Sequence, residues 1–89
     1  MIERTITIRN KLGLHARAAV KFVNTANQFS SDVRIDKDGG EIDGKSILGI
    51  LTLAATQGSD LTLVIRGTDE EAAWNALADL INNRFGEKE

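Results

Sequence analysis

The sequence predicts an α+β domain, a two-layer sandwich in which four mainly antiparallel strands carry three helices on one face. Two observations lead to this prediction. Four segments have the pattern of strands, mostly an alternation of apolar and polar side chains, and three segments repeat apolar residues at helical spacing. Their order along the chain is strand, helix, strand, strand, helix, strand, helix. The chain has 89 residues, a length that suits one domain spanning 1–89. These patterns leave the order of the strands in the sheet open.

The first half of the chain contains two alternating segments and one helical segment. Residues 2–8 alternate apolar and polar side chains, which is typical of a half-buried strand, and residues 31–37 repeat that pattern. Between them, residues 16–28 place apolar side chains three and four positions apart, as in an amphipathic helix. The side chains expected to face the core are Ile2, Ile6, Ile8, Ala19, Phe22, Val23, Ala26, Phe29, Val33 and Ile35.

The second half begins with a hairpin and continues with a short helix. Asp38-Gly39-Gly40 predicts the hairpin turn, and residues 41–43 form the returning strand. Ser46 is expected to cap a second helix that runs to about Thr56 and is closed by Gln57-Gly58. Residues 60–66 then predict the fourth strand.

The last helix is predicted from its start signal and its apolar stripe. Thr68-Asp69-Glu70-Glu71 reads as a capping box, with acidic residues at the positive end of the helix. The stripe that follows it consists of Trp74, Leu77, Ile81 and Phe85.

Composition excludes several classes of protein. The formal net charge of −2, one tryptophan and no tyrosine argue against a nucleic-acid surface. The absence of cysteine excludes disulfides and thiolate metal sites, and we expect neither a metal nor a cofactor. No apolar run approaches the roughly 20 residues of a membrane span, and the N-terminus lacks the apolar core of an export signal. The expected location is therefore the cytoplasm, without membrane association.

Residues 39–46 satisfy the phosphate-loop pattern G-x-x-x-x-G-K-S. That motif requires a preceding strand and a following long helix. Here it spans the predicted hairpin turn, a short strand and the Ser46 cap, and Glu41 and Asp43 bring carboxylates where a phosphate needs donors. We therefore expect no nucleotide binding at this segment.

His15 is the only histidine, and it stands in G-L-H-A-R-A-A at the predicted start of the first helix. A lone histidine in a small domain is most simply an exposed or capping residue. At this position, however, the N–H groups of Ala16, Arg17 and Ala18 precede the helical hydrogen bonds and form an anion site. The Arg17 guanidinium can bind phosphate oxygens in a fork, and the positive helix end favours a neutral, nucleophilic imidazole. These features predict a phosphoryl carrier whose catalysis is supplied by partner proteins.

G-L-H-A-R-A-A resembles the active-site motif of the HPr family, the histidine-containing phosphocarriers of the bacterial phosphoenolpyruvate-dependent phosphotransferase system. D-G-K-S-I-L-G-I-L-T-L-A resembles the second signature of that family, and the resemblance covers essentially the whole chain. It implies an open-faced sandwich with strand order 1-4-2-3. It also implies that His15 accepts phosphate on Nδ1 from enzyme I, that Arg17 neutralises it, and that enzyme IIA receives it. A soluble monomer without turnover of its own is expected.

Ser46 and the residues after it carry further expectations. The simplest role of Ser46 is a helix cap, and the resemblance adds regulatory phosphorylation by HPr kinase/phosphorylase. The apolar residues of the second helix exceed one buried face, so part should be exposed for docking, although Leu51 has a core position as its alternative. The resemblance assigns docking to Ala16, Val20, Ile47, Leu48 and Leu51.

Two departures from the family leave the pathway open. Ala18 stands where the family commonly has proline, and Asn24 and Asn27 stand where sugar-transport members have basic residues, with Lys21 nearby. Without these basic residues an acidic partner is attracted less strongly, so the partners stay open. The function is then either a carrier for sugar uptake or a regulatory interaction module in a nitrogen-type or catabolite-control relay.

Overall fold

All 89 residues are described by a computed structural model. Four strands form one antiparallel sheet in the order β1-β4-β2-β3, which confirms the predicted fold class and the strand order that the resemblance implied. The strands are β1 (Ile2–Thr7), β2 (Asp32–Lys37), β3 (Gly40–Asp43) and β4 (Asp60–Arg66). The helices are α1 (Ala16–Ala26), α2 (Ile47–Thr52) and α3 (Glu70–Asn82). None of them has the length and apolar character needed to cross a membrane.

The core lies between one face of the sheet and the three helices. β4 is a central strand, and its alternating residues Leu61, Leu63 and Ile65 are fully buried. The antiparallel register places Ile65 between Ile2 and Val33, so apolar side chains form rows across the strands. Full burial of one such side chain stabilises the fold by about 1.5–3 kcal/mol. Alternation in the sequence therefore identified the buried face of the sheet correctly.

The second helix is shorter than predicted, because the chain leaves it to support the loop before α1. α2 ends at Thr52, and Ala54 adopts a left-handed conformation with φ of 50°. This bend buries Ala55, whose carbonyl oxygen accepts a hydrogen bond from the Leu14 N–H at 2.9 Å. Gln57-Gly58 belongs to a separate turn, so the prediction that it closes the helix was wrong.

The end of the third helix also differs from the prediction. α3 stops at Asn82, and residues 84–86 form a 3₁₀ turn in which Phe85 has φ of 54° yet remains fully buried. Lys21 Nζ on α1 donates a hydrogen bond to the Phe85 carbonyl oxygen at 2.6 Å. The turn therefore brings the last residues of the chain back to α1, where Glu87 reaches His15.

The predicted capping box at the start of α3 was wrong. Asp69 is the N-cap residue, and its side chain makes no capping hydrogen bond. Its carboxylate instead accepts hydrogen bonds from the backbone N–H groups and hydroxyls of Ser30 and Ser31. Asp69 thus ties α3 to the segment before β2 instead of capping its own helix.

Acid should weaken this tie. Hydrogen bonds from the Ser31 hydroxyl and the Ser30 backbone lower the pKa of Asp69 from 3.8 to about 2. A carboxyl whose pKa is depressed by folding stabilises the protein above its unfolded-state pKa, and the contribution disappears as the pH falls through the folded-state value. We expect thermal unfolding measured between pH 5 and pH 2 to show a steeper loss of Tm for the wild type than for Asp69→Asn. Equal slopes would contradict this assignment.

Residues 39–46 adopt the structure predicted for them: a turn, β3 and the N-cap of the six-residue α2. Asp43 Oδ1 accepts a hydrogen bond from the Lys45 N–H at 2.9 Å, and Lys45 Nζ donates to the Phe29 carbonyl oxygen at 2.8 Å. The groups that a phosphate loop would direct at a nucleotide are therefore engaged within the protein.

Candidate functional site

The loop before α1 fixes the position of His15. Gly13 has φ of 68°, and a Cβ atom at this position would lie 2.9 Å from the Cα of Thr56. Glycine satisfies both the left-handed conformation and the close approach of the two backbones. The neighbouring hydrogen bond from Leu14 to Ala55 holds the loop against the segment after α2.

His15 is the N-cap residue of α1, as the sequence predicts. Its backbone is extended, with φ of −74° and ψ of 177°, and its carbonyl oxygen accepts the first helical hydrogen bond from the Ala19 N–H at 2.9 Å. The N–H groups of Ala16, Arg17 and Ala18 precede this bond, and the His15 side chain does not cap them. The imidazole is 24% exposed, so it remains accessible at the surface. The arrangement combines a reachable imidazole with uncapped amides at the positive end of a helix.

A carboxylate from the end of the chain contacts the imidazole. Glu87 Oε2 pairs with His15 Nε2, and Asn10 Nδ2 donates to Glu87 Oε1 at 3.0 Å. Asn10 is fully buried and also donates to the Gly13 carbonyl oxygen at 2.8 Å. The Glu87 side chain is 13% exposed, so this contact is partly shielded from water.

The electrostatics of Glu87 favour its charged form. Burial opposes ionisation, but the hydrogen bonds from Asn10 and His15 outweigh it, and the pKa of Glu87 lies below its ordinary value. Glu87 therefore faces the imidazole as a carboxylate at neutral pH and accepts a hydrogen bond from its Nε2–H.

Arg17 lies at a cleft beside this contact. The cleft has a volume of about 620 Å³, and Arg17 is exposed and pairs with no carboxylate. Two carboxylates and four cationic side chains line the cleft, which gives it a positive balance in a chain of net charge −2. The charged residues of the cleft are Lys11, Arg17, Lys21, Glu87, Lys88 and Glu89. The cleft therefore presents a positive surface at Arg17, on the other side of Glu87 from His15.

Ser46 fills the structural role predicted for it. It is the N-cap residue of α2, and its Oγ accepts a hydrogen bond from the Gly49 N–H at 3.0 Å. The residue is partly exposed, so its hydroxyl lies near the surface while it caps the helix.

Apolar side chains are exposed on α1 and α2, which contact each other. Val20, Ile47, Leu48 and Leu51, here called the apolar surface, are 40%, 38%, 77% and 37% exposed. The core position on α2 is taken by Ile50, so the alternative that Leu51 is buried was wrong. Ala16 is exposed as well, whereas Ala18 is fully buried.

Three residues of this region were missed from the sequence. Leu12, in the loop before His15, is 67% exposed and adds an apolar side chain beside the cleft. A leucine in a turn-rich loop is a signal that could have been noticed. Glu87 carries no such signal, because it lies 72 positions from His15 and only the turn after α3 brings the two residues together. Asn10 carries none either, because its role is to hold Glu87.

The sequence of the chain matches a known protein family. Residues 2–83 match the family described as the PTS HPr component phosphorylation site. The chain is 51% identical over 89 residues to the phosphocarrier protein HPr of Neisseria meningitidis serogroup A, with the whole of both chains covered.

Solved structures show the same fold. A crystal structure of HPr from Thermoanaerobacter tengcongensis superposes with a TM-score of 0.96 at 49% identity, and the match covers all of both chains. Crh of Bacillus subtilis, a catabolite-repression protein seen as a swapped dimer, gives a TM-score of 0.76 at 40% identity. That match covers 94% of this chain and 97% of Crh.

Proposed function

The chain belongs to the HPr family of phosphocarriers, and from this premise we propose that His15 accepts a phosphoryl group from phosphorylated enzyme I and donates it to enzyme IIA. The observation that carries the proposal is the partly exposed imidazole at the uncapped start of α1. Arg17, which has no carboxylate partner, supports it as the residue that binds the phosphoryl oxygens.

In the proposed step, the lone pair of His15 Nδ1 attacks phosphorus, and the bond from phosphorus to the donor protein breaks. Charge on the transferring oxygens is stabilised by the Arg17 guanidinium and by the N–H groups of Ala16, Arg17 and Ala18. The reverse step discharges the group to the acceptor. The protein needs no cofactor for this exchange, because the partners supply and remove the phosphoryl group.

The direct test is incubation with labelled phosphoenolpyruvate and enzyme I. We expect about one phosphate per chain, labile in acid and stable in base, that enzyme IIA removes. Omission of enzyme I is the control and should leave the chain unlabelled. Acid-stable label, or no label with active enzyme I, would contradict the proposal.

We further propose that enzyme I and enzyme IIA dock on the apolar surface together with Ala16. Exposed leucine and isoleucine side chains beside a reactive residue are typical of a protein-binding surface. We propose that the chain acts as a cytoplasmic monomer, because it must bind enzyme I and enzyme IIA in turn at the same surface. The swapped dimer described for Crh is the competing state, and the mass in solution distinguishes them.

Phosphorylation of Ser46 by HPr kinase/phosphorylase is proposed as a regulatory input. A phosphoserine carries about −1.5 to −2 charges and is tolerated at a helix start. Ser46→Asp is expected to slow phosphoryl transfer from enzyme I by several-fold without unfolding the chain, because negative charge enters the docking surface. Ser46→Asn, which keeps a neutral cap, is the matched control and should transfer at the wild-type rate. Equal rates for the two variants would refute the repulsion.

A second candidate function is a regulatory interaction module of a nitrogen-type or catabolite-control relay. The similarity to Crh, which is described as a catabolite-repression protein, favours this second function. The two functions differ in one result: a carrier discharges its phosphoryl group to enzyme IIA, whereas a regulatory module retains it and binds a regulator.

A further inference from the structure

We propose that Glu87 is a positioning residue for His15, which it orients through a hydrogen bond accepted from Nε2–H so that Nδ1 is presented to the phosphoryl group. The inference deepens the proposed function and rests on it. It concerns a residue that the sequence left without a role and that the transfer step above does not use.

Glu87 is held in place from both sides of its carboxylate. Oε1 accepts a hydrogen bond from the buried Asn10 amide, while Oε2 contacts His15. The backbone before it is fixed as well, since the Glu87 N–H donates to the Arg84 carbonyl oxygen at 2.9 Å and the Phe85 side chain is buried. A carboxylate fixed in this way orients the imidazole rather than following it.

The contact also selects the reactive nitrogen. A neutral imidazole has one N–H donor and one lone pair. Because the carboxylate of Glu87 is an acceptor only, the proton resides on Nε2 and the lone pair remains on Nδ1. A ring held in this tautomer can attack phosphorus without a prior proton transfer.

Glu87 also acts during the transfer. As the bond from Nδ1 to phosphorus forms and the bond from phosphorus to the donor breaks, the ring gains positive charge while Nε2 keeps its proton. The carboxylate stabilises this imidazolium-like ring, as the aspartate does for the histidine of a catalytic triad. Discharge of the phosphoryl group returns the electron pair to Nδ1 and restores the starting state.

The test compares Glu87→Ala and Glu87→Gln with the control Glu3→Ala, which removes an exposed carboxylate on β1 that does not line the cleft. Two readouts are needed: the ¹⁵N signals of the His15 ring in the free protein, and the rate of phosphoryl acceptance from enzyme I. Loss of a carboxylate that orients a metal-ligating histidine typically lowers affinity or activity by about 10–100-fold, and we expect the lower end of that range for His15.

For Glu87→Ala we expect the ring signals to move toward an average of the two tautomers and the rate to fall about tenfold. Glu87→Gln keeps an acceptor oxygen, so its ring signals should stay near those of the wild type while its rate falls less. Glu3→Ala should change neither readout.

The proposal is overturned if Glu87→Ala leaves the ring signals unchanged, whatever its rate, because the carboxylate then does not set the tautomer. A wild-type rate in Glu87→Ala overturns it as well. If the wild type accepts no phosphoryl group, the proposed function fails instead, and the ring signals still decide whether Glu87 positions His15.

Discussion

His15→Ala is expected to lower phosphoryl acceptance from enzyme I to background, a loss of at least about 10³-fold. The chain has no other histidine and no cysteine, so no second side chain offers a comparable nucleophile at neutral pH. The measurement is acid-labile label per chain after incubation with labelled phosphoenolpyruvate and enzyme I.

The same variant should fold normally, because the His15 side chain makes no capping hydrogen bond to α1 and is partly exposed. Thermal unfolding of the wild type and His15→Ala provides the control for this expectation. Label that persists in a folded His15→Ala protein would place the acceptor elsewhere and end the carrier assignment.

Arg17→Ala is expected to slow phosphoryl acceptance by about 10²-fold, the usual effect of removing a donor that stabilises developing negative charge. Arg17→Lys keeps the charge but loses the planar fork, so its rate should lie between those of Arg17→Ala and the wild type. Single-turnover transfer from phosphorylated enzyme I measures these rates.

The control for charge is Arg34→Ala. Arg34 lies on β2 between the buried residues Val33 and Ile35, so it projects from the face of the sheet opposite to the helices. The Arg34→Ala variant should accept the phosphoryl group at close to the wild-type rate. If Arg34→Ala and Arg17→Ala slow the reaction equally, the effect comes from total charge and Arg17 has no specific role.

The strands could be predicted from the sequence because alternation records which face of a sheet is buried. β4 is the clearest case, since its bounds and its buried residues agree with the prediction. The end of α2 could not be predicted in this way. The helix ends at Thr52, and the chain then bends so that the Ala55 carbonyl oxygen accepts a hydrogen bond from Leu14 in the loop before His15. Leu14 and Ala55 are 41 positions apart, so no local pattern records this contact.

In the candidate site as well, residues placed by local sequence could be predicted and residues placed by long-range contacts could not. The position of His15 at the start of α1 follows from neighbours in the chain, so local reasoning was sufficient. Glu87 reaches the site only through the turn around Phe85, whose left-handed backbone contradicts the simple helical stripe. Its contact with the imidazole therefore required the folded structure.

The most direct test of the account is to locate the phosphoryl group by NMR of ¹⁵N-labelled protein phosphorylated by enzyme I. We predict coupling of phosphorus to Nδ1 of His15, with changes in the amide signals of Ala16, Arg17 and Ala18. Attachment at Nε2, or amide signals that stay unchanged on phosphorylation, would contradict it.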